Sequence, residues 1–238
     1  MLRFKVCIYA YLMWISNAGI AQEAGTVTHL SGPLFATTET GVKKILAPHS
    51  EVNSGDTLVT ADQTYARIKF TDDGEVTLRP NTQFKIESFN YQKQKPEEGN
   101  AFFNLVKGGL RTISGVIGKM SANRNRYRMT AASATIGIRG TIYGLNLCQN
   151  GSCGAEIADG LHIDVTAGSV MVANQAGSQQ INTGQFGYVQ SQNAPPIIVP
   201  ANPGIKFTPP PTFTQKSGPN YTSNKPNTVM SSGGCEVH

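Results

Sequence analysis

The chain has 238 residues, with 20 Lys and Arg against 15 Asp and Glu and a net charge of +5. That length suits one sizeable domain with an appendage. Removal of Arg3 and Lys5 with the leader described next would lower the charge to +3, too small a balance to indicate nucleic acid as a partner.

Arg3 and Lys5, an apolar run over residues 6–15 and Gly19-Ile-Ala21 follow the pattern of a signal peptide ending at residue 21. The run falls well short of the ~20 residues that cross a bilayer, so no membrane span is expected after cleavage. The remainder is expected in the periplasm or secreted, where thiols oxidise. Residues 22–193 carry short runs of Val, Ile, Thr and Tyr between Gly-rich turns and keep no helical period for three turns, which points to an all-β domain. The best helix candidate, 101–107, reads equally as a strand and is stopped by Gly108-Gly109.

Glycine spacing hints at an internal repeat. Gly32 to Gly41 matches Gly168 to Gly177, Ile45 and Ile181 each follow by four, and Gly55 and Gly184 close the two units. Next, 67–79 reads as a hairpin. A three-residue loop of Asp72, Asp73 and Gly74 would set Phe70 opposite Val76 and Ile68 opposite Leu78, with Gly74 left-handed. Asp72, Asp73 and Glu75 could also form a calcium or catalytic carboxylate cluster, although Asp and Gly are what such a turn needs. After Pro80-Asn-Thr82, Phe84, Ile86 and, past a one-residue shift, Phe89 and Tyr91 should point inward. Lys119, Arg124, Arg126 and Arg128 beside Tyr127 read as a charge-guarded strand edge, or alternatively as a surface for an anionic polymer.

Gly137 and Gly140 flank Ile138 and Arg139 inside an apolar run, the mark of a bulge or close backbone approach. Arg139 would then either grip an anionic ligand or tie two layers together through an internal carboxylate, Asp56 or Asp73. In Cys148-Gln-Asn-Gly-Ser-Cys153, Asn150-Gly151 signals a two-residue turn that sets the cysteines opposite one another, within disulfide reach. The spacing fits neither a redox C-x-x-C nor a zinc knuckle. Residues 161–165 and 170–172 read as two strands around Ala167-Gly168. From Ala194 the prolines leave few core-forming residues, so 194–238 is expected as a disordered Pro-rich tail. Its end carries Cys235 and His238, at most half a metal site.

Gly108-Gly-Leu-Arg111 followed by Gly-Ile-Arg-Gly-Thr141 resembles the hallmark of the FecR domain, a module of bacterial envelope proteins. Gly55-Asp-Thr-Leu and Phe70-Thr-Asp-Asp-Gly-Glu-Val-Thr-Leu78 extend the resemblance over about residues 25–145. It implies an antiparallel sandwich or jelly-roll-like fold, with a β-solenoid as the alternative. It also implies structural motif roles for Gly55, Asp56, Asp73, Gly74, Gly109, Arg111, Gly137, Arg139, Gly140 and Thr141. FecR-type regulators join a cytoplasmic sigma-factor-controlling part and a transmembrane helix to a periplasmic part; this chain opens instead on a signal-like segment, which implies a free envelope module.

His29, His49 and His162 stand in unrelated contexts and no Ser sits in a nucleophile elbow, so the expected function is non-catalytic and without cofactor. The partner would be an envelope protein or a polysaccharide, and the binding residues remain open. The alternative is a glycan-binding or carbohydrate-active protein using Asp56, Asp72 and Asp73.

Overall fold

The computed structural model describes residues 22–120, 125–132 and 134–214. The leader, Arg124, Cys235 and His238 lie outside them. Fifteen strands join into one hydrogen-bonded, mixed sheet, so the all-β reading holds.

The strand that organises the rest is β9 (Asn100–Ile113), the segment that reads equally as helix or strand. Ala101, Phe103 and Leu105 alternate inward, the period of a strand. Its first half lies between antiparallel β8 (Gln83–Asn90) and parallel β10 (Tyr127–Ala131). Its second half lies between β7 (Glu75–Leu78) and β11 (Ala134–Cys148), both antiparallel. Partners change at Gly108, where φ is +82 and an added Cβ would stand 2.7 Å from the Thr82 Cα. Glycine alone allows both the turn of the backbone and the close approach.

From β7 the sheet continues through β6 (Ala66–Phe70) and β1 (Glu23–Leu30) to β4 (Glu51–Asn53). From β8 it runs through β5 (Thr57–Thr60) and β2 (Leu34–Thr37) to β3 (Lys43–Leu46). Beyond β11 lies β12 (Gly160–Asn174), whose second half pairs with β13 (Gly177–Asn182) and first half with β14 (Phe186–Val189), followed by β15 (Ile197–Val199). Thus 161–165 and 170–172 are one strand bent at Gly168, because its partner β11 bulges at the same level and the pair bends together.

The largest core cluster joins rings from four strands. Phe103 lies 5.0 Å from Phe70, 5.4 Å from Phe84 and 5.9 Å from Tyr127, while Phe70 and Phe89 stack at 5.1 Å. The inward shift expected between Ile86 and Phe89 is a bulge at that point in β8. Tyr127 is buried core, and β10 lies between two strands, so the basic stretch does not guard an edge. Instead Arg128 lies over Phe102 at 4.6 Å, and Lys119 belongs to the short helix α1 (Val116–Lys119).

The β6–β7 hairpin takes a different register from the expected one: Ile68 faces Val76 and Ala66 faces Leu78. A slip of two residues keeps every apolar side chain on its face, so alternation could not separate the two registers. The left-handed residue is Asp73, φ +67. Gly74 is glycine because an added Cβ would stand 2.8 Å from the Asp72 carboxylate and 3.2 Å from the Gly115 nitrogen.

The glycine repeat is real at its closing turns. In Asn53-Ser-Gly-Asp56 the Asn53 N–H donates to Asp56 Oδ2 at 2.9 Å, and in Asn182-Thr-Gly-Gln185 the Asn182 N–H donates to Gln185 Oε1 at 2.8 Å. Gly55 and Gly184 supply φ of +90 and +78. The second turn directly follows the β12–β13 hairpin, whereas in the first unit β4, paired with β1, stands between the β2–β3 hairpin and the turn. The two isoleucines do not correspond, since Ile181 is buried and Ile45 is exposed.

The chain beyond Ala194 does not leave the domain at once. β15 pairs with β14, and Ile205, Phe207 and Phe213 are buried against the sheet. Phe207 rests on β11 at Gly144, where an added Cβ would come within 2.6 Å of the ring. Phe213, in the short helix α2 (Pro211–Thr214), meets Tyr65 at 5.6 Å and the Arg67 guanidinium at 5.3 Å. Prolines forbid internal strands but not a strap laid over a finished sheet.

Candidate functional site

The motif residues divide into those that build turns and those that face outward. Asp56 is buried; besides accepting from Asn53 N–H, it lies 3.6 Å from Lys44 Nζ. Asp72 is also buried. Its Oδ1 accepts from Gly74 N–H at 2.9 Å and its Oδ2 from Ile117 N–H at 3.2 Å, so it closes the hairpin and caps α1 at once. Burial raises its pKa above the usual carboxylate value, and the two N–H donors oppose that shift. Asp73 is exposed and pairs with Lys69 at 3.2 Å, and Glu75 pairs with Arg67 at 3.2 Å. Each carboxylate of the possible cluster therefore has a structural partner. Among the described residues no three His, Cys, Asp or Glu side chains gather to hold a metal.

In the hallmark stretch, Gly140 has φ +60 and lies in the bulge where β11 slips against β12. Gly168 faces it: an added Cβ there would meet the Gly140 carbonyl oxygen at 2.7 Å. Thr141 clamps the bulge, donating from Oγ1 to the Ser169 carbonyl at 2.8 Å while its own N–H donates to Ser114 Oγ at 2.9 Å. Gly137 has open space where a Cβ would be, so neither sterics nor backbone conformation demands glycine there. Arg139 is exposed, and the ion pair expected with Asp56 or Asp73 is not formed: those carboxylates pair with Lys44 and Lys69. A bulge that turns a residue outward leaves its guanidinium in water rather than between layers.

Gly109 serves a neighbour. An added Cβ would lie 2.2 Å from Asn146 Oδ1 and 3.0 Å from Arg79 Cδ, so its absence lets Arg79 cross β9 and donate from Nη1 to Asn146 Oδ1 at 2.7 Å. Asn146 Nδ2 in turn lies 3.3 Å from Cys148 Sγ and 2.9 Å from Cys153 Sγ. Arg111 is half-buried on the same face; burial raises the Asp164 pKa, and the Thr166 hydroxyl and then the Arg111 charge oppose that shift.

Cys148 and Cys153 form a disulfide with a Cα separation of 5.4 Å. Asn150 and Gly151 both have positive φ, as the two-residue turn requires. Cys153 is not on a strand, however, because β12 begins only at Gly160. The turn is held from the far side of the loop by Asp159, whose carboxylate accepts from Asn150 and Gly151 N–H at 2.8 and 3.1 Å.

An outward-facing apolar row crosses three strands at the far end of the sheet. Phe35 on β2 pairs with Ile45 on β3 and with Val59 on β5. Ile45 is 75% exposed and Phe35 42%. Among the described residues the strand β3 pairs with β2 alone, which leaves its other edge open. Lys43 and Lys44 flank the row and line a shallow cleft of about 370 Å³ with it. The Phe35–Ile45 register puts the two side chains on one face, and which face is inside depends on strands far away in the chain.

No curated protein matches the sequence significantly. Among solved structures, two crystal structures of a proposed anti-sigma factor from Parabacteroides distasonis are similar, with TM-scores of 0.44 and 0.43 at 10% identity. Each alignment covers 60% of this chain and 58% of the other, a likeness too distant to carry function. The sequence profile of the family described as FecR protein matches residues 56–171, spanning the Asp56 turn, the β6–β7 hairpin, Gly109 and the Gly140 bulge. The chain carries a FecR domain over those residues.

Proposed function

We propose that this is an exported, non-catalytic FecR module that recognises a protein partner in the bacterial envelope. The observation that carries the reading is the Ile45–Phe35–Val59 row beside the open edge of β3. Contiguous exposed apolar surface beside unpaired backbone is what a partner strand or loop covers. The leader-like first 21 residues and the Cys148–Cys153 disulfide both fit an oxidising compartment. The competing reading, a carbohydrate-active protein using Asp56, Asp72 and Asp73, has less geometric support, because Asp56 and Asp72 are buried on backbone N–H groups and Asp73 is paired with Lys69.

The test is capture from envelope extract by the protein and by a Phe35→Ser/Ile45→Lys variant with an unchanged melting temperature. A partner retained by the first and lost by the second is expected. Equal capture by both would remove this surface from the reading, and turnover of a cell-wall polysaccharide abolished by Asp73→Asn would overturn the non-catalytic reading.

A further inference from the structure

A second concavity, of about 510 Å³, lies over the middle of β9 at residues 107–109, between the 79–81 turn, the disulfide loop and the strap residues 204–206. Three of its lining residues are cationic: Arg79, Lys107 and Lys206. No carboxylate lines it among the described residues; Asp62, exposed and outside the lining, accepts from the Nδ2 of the lining residue Asn81 at 3.1 Å. The volume is in the range of small-molecule sites.

The walls are fixed rather than incidental. Thr82 Oγ1 donates to the Gly109 carbonyl at 2.9 Å and accepts from Gly109 N–H at 3.0 Å, fastening the 79–82 turn to β9. Arg79 is half-buried and lies against that joint. Of its five N–H donors, one is spent on Asn146 and the Tyr65 hydroxyl, on the cleft wall, engages the guanidinium as well, leaving others for a ligand; it forms no ion pair within 4.0 Å among the described residues. Burial lowers its pKa from the ordinary arginine value, and the Tyr65 hydroxyl opposes that shift in part. Asn146 is itself anchored at the disulfide sulfurs, so the order of the guanidinium depends on that bridge. Ile205, packed with Cys148, brings Lys206 to the opposite wall.

We propose that this cleft binds an oxyanion, a carboxylate or phosphate borne by a small molecule or by the end of an acidic chain. Arg79 supplies the directional contact, and Lys107 and Lys206 close on the charge from either side. Such charge-assisted contacts are the stronger class of hydrogen bond, and planar guanidinium suits both groups.

The test is isothermal titration of the purified protein with inorganic phosphate, glucuronate and, as the neutral control, glucose. Saturable binding of phosphate, glucuronate or both is expected, with none for glucose, and the two anions separate the phosphate from the carboxylate source. The exposed pair Lys107→Ala/Lys206→Ala should weaken that binding by roughly tenfold or more without changing the fold, and Arg79→Gln should abolish it. Amide shifts of Gly109 and Asn146 on titration would place the ligand. Absence of saturable binding by either anion, or equal binding by the double lysine variant, would overturn the proposal.

Discussion

The Tyr127 and Tyr143 hydroxyls meet at 2.7 Å in the core, between strands β10 and β11. Both side chains are buried, and burial raises both phenol pKa values far above the ordinary one. Tyr127 has a second hydroxyl neighbour in Thr112, whereas Tyr143 has Tyr127 as its hydrogen-bond partner. Tyr127→Phe therefore orphans a buried donor and should cost about 1–3 kcal/mol. Tyr143→Phe should cost less, and the double variant less than the two singles added. Urea unfolding of all four proteins measures this; strict additivity would show that the contact contributes nothing.

At the Gly137–Thr141 stretch and across from it on β12, the glycines should separate by cause. Gly168→Ala drives a Cβ against the Gly140 carbonyl and should be the most damaging. Gly140→Ala, with room for a Cβ but φ +60, should cost about 1–2 kcal/mol from backbone strain. Gly137→Ala should be neutral within about 0.5 kcal/mol. Any other order among the three melting curves contradicts the assigned causes.

The legible part of the sequence was local. Asn150-Gly151 discloses its turn and the cysteines it joins, Ile86 to Phe89 discloses a bulge, and the glycine spacing that ends at Gly55 and Gly184 discloses two similar closing turns. What could not be read depended on contacts distant in sequence. Two hairpin registers with equal parity look alike in sequence, and the one formed is held in part by Asp72 reaching the distant Ile117, while Arg139 faces outward where β11 and β12 bulge together. The strap after Ala194 looked coreless because three aromatic or apolar anchors, Ile205, Phe207 and Phe213, are too few to make a core but enough to join an existing one. Nothing in the sequence singles out Arg79 and Asn146 except the small residue at Gly109, which can be interpreted only with β7 and β11 laid on either side.

Phe207→Ala should release the strap from β11 and cost about 3 kcal/mol. Limited proteolysis is the sensitive readout: cleavage within 194–206 should become rapid while the β domain survives. A strap that stays resistant would show that Ile205 and Phe213 suffice.

Loss of the disulfide in a Cys148→Ser/Cys153→Ser variant should cost roughly 2 kcal/mol, because a loop this short constrains the unfolded chain only modestly. Chemical denaturation of the two proteins measures it, and equal midpoints would contradict the estimate.

Acid should weaken the fold partly through His29. Its Nδ1 is buried without a hydrogen-bond partner among the described residues, and burial, then the Arg67 charge, lower its pKa while Glu75 raises it. With the folded pKa below the unfolded one, the unfolded chain takes up the proton first. Stability from this group is then full above the unfolded value and falls as pH drops from about 6.5. Urea unfolding between pH 7.5 and pH 5 (approximate limits chosen around that value) should show a shallower loss in His29→Gln than in the parent. Parallel pH profiles would discount the histidine.

The four-partner strand β9 also sets the order in which the molecule can be made. Two of its neighbours, β7 and β8, precede it in sequence, and two, β10 and β11, follow it. A nascent chain that has reached residue 99 holds eight strands, yet the one that joins the β7 branch to the β8 branch has not been made. Until it arrives, β7 and β8 each present an unpaired edge, the kind of surface on which chains aggregate or are seized by chaperones. Closure depends on pairings far apart along the chain, which makes for slow folding, and a fragment cut before residue 100 should be insoluble rather than a smaller working domain.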